Sequence, residues 1–218
     1  ILLALAMMTA MWSWNVVFPG SATSTIDALP SPPGWLLVGA PIHALVAALV
    51  TIFKPTVAPI SAPIYALLEG LFLGTISAMF EVRYPGIAMQ AAFGTLFITG
   101  GMLVIYSSRI IRPTPTFNKV IYSLVGAIMM LYVVSIIFTL FTSYEIPFVH
   151  SSGPIGIGFT IFVLSIAALS LISDFGFIES GVKWQAPKNA EWWGAFGVLV
   201  TIIWIYIEMI RLLSKIRD

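Results

Sequence analysis

"APIYALLEGLFLGTISAMFEVRYPGIAMQAAFGTLFITG", residues Ala62–Gly100, holds two long apolar runs on either side of a short break, "EVRYPG". The first run is Ile64–Phe80; the second begins at Ile87 and continues to Tyr106. A helix rising ~1.5 Å per residue needs about 17–25 residues to cross the hydrocarbon of a bilayer, and both runs have that length. Neither alternates apolar and polar residues as a membrane barrel strand does. Lipid tolerates only helices and closed barrels, because no backbone group can be left unsatisfied in it, so the stretch reads as two membrane helices joined by a tight connection.

Working outward, the rest of the chain repeats the pattern. Of 218 residues, 59% are hydrophobic and 9% charged, with a mean hydropathy of +1.02. Soluble domains carry about 25% charged residues, so a chain this apolar needs lipid around it. Seven segments emerge: Ile1–Phe18, Trp35–Phe53, Ile64–Phe80, Ile87–Tyr106, Val120–Phe141, Pro154–Ile172 and Trp192–Leu213. The fold class is all-α, a polytopic membrane protein. Every connection is too short for a soluble domain, so residues 1–218 form a single transmembrane domain. Pro55, Pro59 and Pro63 crowd "KPTVAPISAP", which is expected to be non-helical. The chain opens at Ile1 without a Met, inside an apolar run, and a truncated N-terminus is expected.

Several function classes drop out on composition. No cysteine is present, which excludes disulfides and thiolate chemistry. Net charge is +1 with no basic run, so nucleic acid is not an expected partner. Two histidines are too few for a histidine-built metal cage. His43 follows Pro41 and suits a kink; His150 reads as a loop residue. "GPIGIG" at 153–158 lacks both the preceding strand and the Lys-Ser/Thr of a phosphate loop, and close helix packing explains it better. Neither a HExxH helix nor a GxSxG elbow occurs, and of the three aspartates Asp27 lies in a loop and Asp218 at the end. No enzyme is expected, and no tightly bound cofactor.

Short-loop Lys and Arg set orientation. With the first segment starting inside, Lys54, Arg109, Arg112, Lys119, Lys183 and Lys188 fall on inner loops and Arg83 alone on an outer one. Arg211, Lys215 and Arg217 break the rule, since seven spans put them outside; a re-entrant segment would put them inside. Trp35, Trp192 and Trp193 stand where interface anchors belong.

An ionisable group in a membrane segment is costly and is a functional candidate by default. Glu69, Asp174 and Glu208 qualify, each with a plainer alternative. Glu69 sits beside Gly70 and Gly74, a small-residue face that admits a neighbouring helix, and a protonated Glu bonded to that helix competes with a pathway acid. Asp174 ends segment six, where an acid simply reaches water. Glu208 lies deep in segment seven, but Arg211, three residues on, shares its helix face and offers a local pair.

Three stretches together carry a resemblance: the opening one, "LSLISDFGFIESG" at 169–181, and "WIYIEMIRLL" at 204–213. They resemble the bacterial branch of the Bax inhibitor-1 (YccA-like) membrane proteins, over nearly the whole chain. The resemblance implies seven helices with the last central, a multi-pass protein of the bacterial inner membrane, and a pH-sensitive calcium leak. It implies a pH sensor made of Asp174 and Glu208, sharing a proton and serving as transient calcium ligands, with Lys54 a counter-ion candidate beside Arg211. Glu69 is the further pathway candidate. Carboxylates held close cannot both ionise cheaply; a shared proton ties their helices together, and losing it drives them apart. Calcium takes oxygen ligands, and a leak needs weak binding.

Spacing alone does not bring the two acids together. A straight segment six places Asp174 about 30 Å from Pro154, near the inner face, and a straight segment seven from Trp193 places Glu208 about 22 Å from that face. They meet only if segment seven starts lower or segment six ends inside the bilayer. The expected function is a pH-regulated, calcium-permeable leak. The alternative, drawn from other relatives, is a non-transporting membrane partner, such as a regulator of membrane-protein quality control.

Overall fold

The computed structural model describes residues 1–17, 32–142, 151 and 153–218. Asp27 and His150 lie outside them. Among the described residues the chain forms seven α-helices and no strand: α1 Leu2–Val17, α2 Ala40–Phe53, α3 Ala58–Arg83, α4 Ile87–Ser107, α5 Pro115–Thr142, α6 Pro154–Lys183 and α7 Lys188–Arg217. Six helical stretches are long and apolar enough to cross a membrane, while α1, at 16 residues, is shorter.

The break in the opening stretch is a turn with its own cap. Tyr84-Pro85-Gly86-Ile87 closes through Ile87 N–H to the Tyr84 carbonyl at 3.1 Å, with Gly86 at φ +83°. Proline second and a positive-φ glycine third fit a type II turn. Glu81, in the last turn of α3, folds over it: its two carboxylate oxygens accept the amides of Gly86 (2.6 Å) and Ala88 (3.1 Å), the second in the first turn of α4.

Three boundary differences from the sequence expectation bear most on the argument. First, α3 begins at Ala58 and runs through Pro63, behind a 3-10 turn at Pro55–Val57. Pro59 stands in the first turn, where no amide partner is needed, so Pro63 alone interrupts the ladder. Second, α6 does not stop near Ile172 but continues to Lys183. It ends in a Schellman arrangement: Gln185 at φ +49° donates to Val182 (3.2 Å), Ala186 donates to Gly181 (2.9 Å), and Pro187 blocks continuation. Third, α7 starts at Lys188, ahead of Trp192. Asp174 is therefore interior to its helix, not terminal.

Proline shapes α2 as well. A π turn, Trp35–Gly39, precedes it, just ahead of Pro41, and His43 Nδ1 lies 2.7 Å from the Gly39 carbonyl. Wide turns of this kind absorb the amide that proline lacks.

The helices gather into two compact units. The first comprises residues 1–88 and 178–200. In it, the helix admitted by the Gly70/Gly74 face is α1: a Cβ on Gly70 would meet the Ala6 carbonyl oxygen and Thr9 Oγ1, and one on Gly74 the Ala10 carbonyl oxygen and Ser13 Oγ. Thr51 Oγ1 donates to the Ala47 carbonyl (2.8 Å) and Ser61 (2.7 Å), fixing the α2–α3 corner, and Trp193 Nε1 donates to the Thr51 carbonyl at 3.1 Å. The second unit comprises residues 89–177 and 201–218. Its core sets Ile128 of α5 against Val163 and Ile166 of α6, with Phe159, Tyr132 and Trp204 around them.

Candidate functional site

In the second unit α6 and α7 run antiparallel in a fixed register. Thr201 Oγ1 donates to Asp174 Oδ2 at 2.6 Å, and at the other end Lys215 Nζ donates to Thr160 Oγ1 and to the Gly156 carbonyl, both at 3.1 Å. Thr160 to Asp174 and Thr201 to Lys215 are the same number of residues, fourteen, or about 21 Å of helix. Glu208 lies halfway, level with the fully buried Ala167. Thr201, Glu208 and Lys215 recur every seven residues, near two full turns, and so line one face of α7.

Glu208 is the most enclosed acid, only 1% exposed. Its Oε1 accepts from the Tyr132 hydroxyl (2.8 Å) and from Arg211 Nη1 (2.9 Å), and the same Nη1 donates to the Tyr132 oxygen at 2.7 Å. The guanidinium also stands 5.0 Å from the centroid of the Tyr132 ring, within cation–π range. Three side chains thus close a triangle on one carboxylate oxygen. The other, Oε2, is buried and has no hydrogen-bond partner among the described residues.

Asp174 occupies a different level. Beside it Ser173 Oγ donates to Asn118 Oδ1 at 2.9 Å, Phe175 meets Tyr106 at 5.6 Å between ring centroids, and a Cβ on Gly176 would strike the Pro113 ring. These contacts place Asp174 beside the α4–α5 connection and the first turns of α5. That helix starts with Thr114 as its N-cap, whose Oγ1 accepts the Phe117 amide at 3.2 Å.

The expected proton-sharing contact between Asp174 and Glu208 is not present in this structure. The residue of α7 that meets Asp174 is Thr201, a neutral hydroxyl, and Glu208 stands seven residues further along, about 10 Å away on the axis. The helix arithmetic explains the outcome. The early start of α7 and the continuation of α6 past Asp174 draw the acids nearer in level, and the antiparallel register leaves them two turns apart.

The remaining candidates are placed as follows. Arg211 is brought to Glu208. Lys54 sits at the C-cap of α2 in the first unit, exposed, its amide bonded to the Val50 carbonyl at 2.9 Å. Glu69, half-buried in α3, has no hydrogen-bond or ion-pair partner among the described residues. Tyr65, one turn earlier, packs edge-to-face on Phe196 at 5.1 Å. Among the described residues no three His, Cys, Asp or Glu side chains gather into a metal-binding group. Sequence reasoning missed Thr201, Tyr132, Asn118 and Lys215 as partners; the seven-residue recurrence through Glu208 was a signal for Thr201 and Lys215, and none marked Tyr132 or Asn118.

A family model described as "Bax inhibitor 1 like" matches residues 1–218. The chain belongs to the Bax inhibitor-1-like family. No curated protein and no solved structure matches it. Membership agrees with the resemblance carried by the three quoted stretches, and with the helices it makes this Bax inhibitor-1-like chain a multi-pass membrane protein.

Proposed function

We propose that this Bax inhibitor-1-like protein is a pH-regulated, calcium-permeable leak of the bacterial inner membrane. The observation that supports this most is the polar seam between α6 and α7: a half-buried carboxylate at Asp174, then a buried one at Glu208 with one oxygen unpartnered among the described residues. Carboxylates set two turns apart, with no second acid beside either among the described residues, are suited to weak, stepwise handling of a hard cation rather than to tight binding. Protonation removes the charge that attracts a cation, and deprotonation restores it, so flux rises with pH.

Calcium uptake into dye-loaded proteoliposomes between about pH 5 and 8 tests this. Flux above empty vesicles, rising with pH, is expected, with Asp174→Asn and Glu208→Gln each lowering flux and flattening the profile. If both variants keep the flux and pH dependence of the unaltered protein, these acids are not the sensor. A stoichiometric protein partner recovered in mild detergent, without ion flux, would favour the membrane-partner role instead.

A further inference from the structure

Lys215 is placed where a lysine would normally escape. It lies two residues before the end of α7, next to Ile216 at 59% exposure, so its four-carbon stem could carry the ammonium out to the interface. Instead it is 6% exposed and turned inward. Its contacts include the Gly156 carbonyl and the Thr160 hydroxyl, and Thr160 Oγ1 itself donates to that same carbonyl at 3.0 Å. A carbonyl and a hydroxyl from the first turns of α6 are the ligand types that replace the water shell of a small cation. The ammonium also continues the register of the seam, two turns beyond Glu208, with Arg211 between them held on Glu208 and Tyr132.

We propose that Lys215 is a tethered cation that plugs the far end of the α6–α7 seam: its ammonium occupies an oxygen cradle that a passing cation would otherwise use, and its charge repels cations approaching Glu208. This inference rests on the leak reading and adds to it a built-in restriction, with small cations, alkylammonium ions included, as the ligand class of the emptied cradle.

The test is calcium flux in proteoliposomes of the full chain, comparing the unaltered protein, Lys215→Ala and Thr160→Val, with ethylammonium added as a replacement ion. Lys215→Ala is expected to raise flux about tenfold or more, the order set by one unit charge about 10 Å from a permeating ion at an effective dielectric of about 20. Ethylammonium should restore the block in Lys215→Ala while leaving the unaltered protein unchanged, which a merely structural lysine would not produce. Thr160→Val, which keeps the lysine and removes one cradle oxygen, should raise flux by a smaller factor, and it carries the test if Lys215→Ala does not survive purification. Flux in Lys215→Ala equal to that of the unaltered protein, or an increase that ethylammonium does not reverse, overturns the plug alone. Flux equal to empty vesicles for every protein at every pH overturns the leak reading, and the plug with it.

Discussion

At the scale of single residues, the Glu208–Arg211–Tyr132 triangle sets the sharpest energetic expectation. Glu208 is 1% exposed and Arg211 34% exposed, so removing the arginine strands a carboxylate in the bundle interior while removing the acid leaves a cation at the bundle surface. Breaking a fully buried pair costs about 3–5 kcal/mol. With a third of the guanidinium accessible, Arg211→Met should cost less, about 2–3 kcal/mol of stability in detergent. Glu208→Gln should cost less than Arg211→Met, and the double variant Glu208→Gln/Arg211→Met should recover about half of the loss. A double-mutant cycle read by thermal or denaturant unfolding checks this. If the single-variant losses simply add, the triangle contributes no coupling. The acid at its centre was legible in the sequence, because a carboxylate deep in an apolar run has no cheap explanation. Its partners were only partly so. Arg211 is three residues away and shares the helix face, whereas Tyr132 is 76 residues distant and is brought in only by the packing of α5 on α6.

At the scale of helices, close approach in the first unit depends on missing side chains. Gly70 and Gly74 leave no room for a methyl group between α3 and the backbone of α1. Gly70→Ala should therefore separate the two helices and destabilise the protein by about 1–3 kcal/mol, the usual range for overpacking. Gly100→Ala in α4, where an added Cβ would meet no other helix among the described residues, is the matched control and should change stability little or raise it. Unfolding midpoints of the two variants decide the matter; equal shifts would mean that α1 is not clamped at this face. Helix existence was readable from hydropathy in all seven cases, but helix ends were not, for a physical reason. Hydropathy marks the part of a helix that lipid covers, while its ends are set by backbone hydrogen bonding. Thus α6 runs through Asp174 and Glu179 to its cap at Gln185, with Lys183 and Glu179 paired at 2.6 Å on its exposed last turns. Asp174 looked terminal only because the apolar run stops there. In the same way "KPTVAPISAP" contains a helix start, since proline in a first turn costs no hydrogen bond.

For the whole molecule, the basic C-terminal end conflicts with the loop charges in orientation, and the second unit resolves the conflict. Arg217, at the end of α7, donates to Gln90 near the start of α4 at 2.8 Å, whereas Arg109, Arg112 and Lys119 follow the end of α4. The C-terminus and the basic α4–α5 connection therefore lie at opposite ends of α4. Positive-inside bias acts through Lys and Arg free to face the cytoplasmic surface in short loops. Arg211 is committed to Glu208 and Lys215 is turned into the α6 start, so neither acts as a loop charge. Counted without them, Arg217 at the end of α7 stands against Arg109, Arg112 and Lys119, and the bias predicts the α4–α5 connection inside and the end of α7 outside. The absence of cysteine makes the check direct. Ile110→Cys, at a position 73% exposed in the α4–α5 connection, should react with a membrane-impermeant maleimide only after the membrane is opened. Asp218→Cys should react in intact spheroplasts. Labelling of both from the same side would contradict the antiparallel placement of α4 and α7. Labelling of both from opposite sides in the reverse sense would keep the fold and show instead that Arg211 or Lys215 directs insertion before the bundle closes around it.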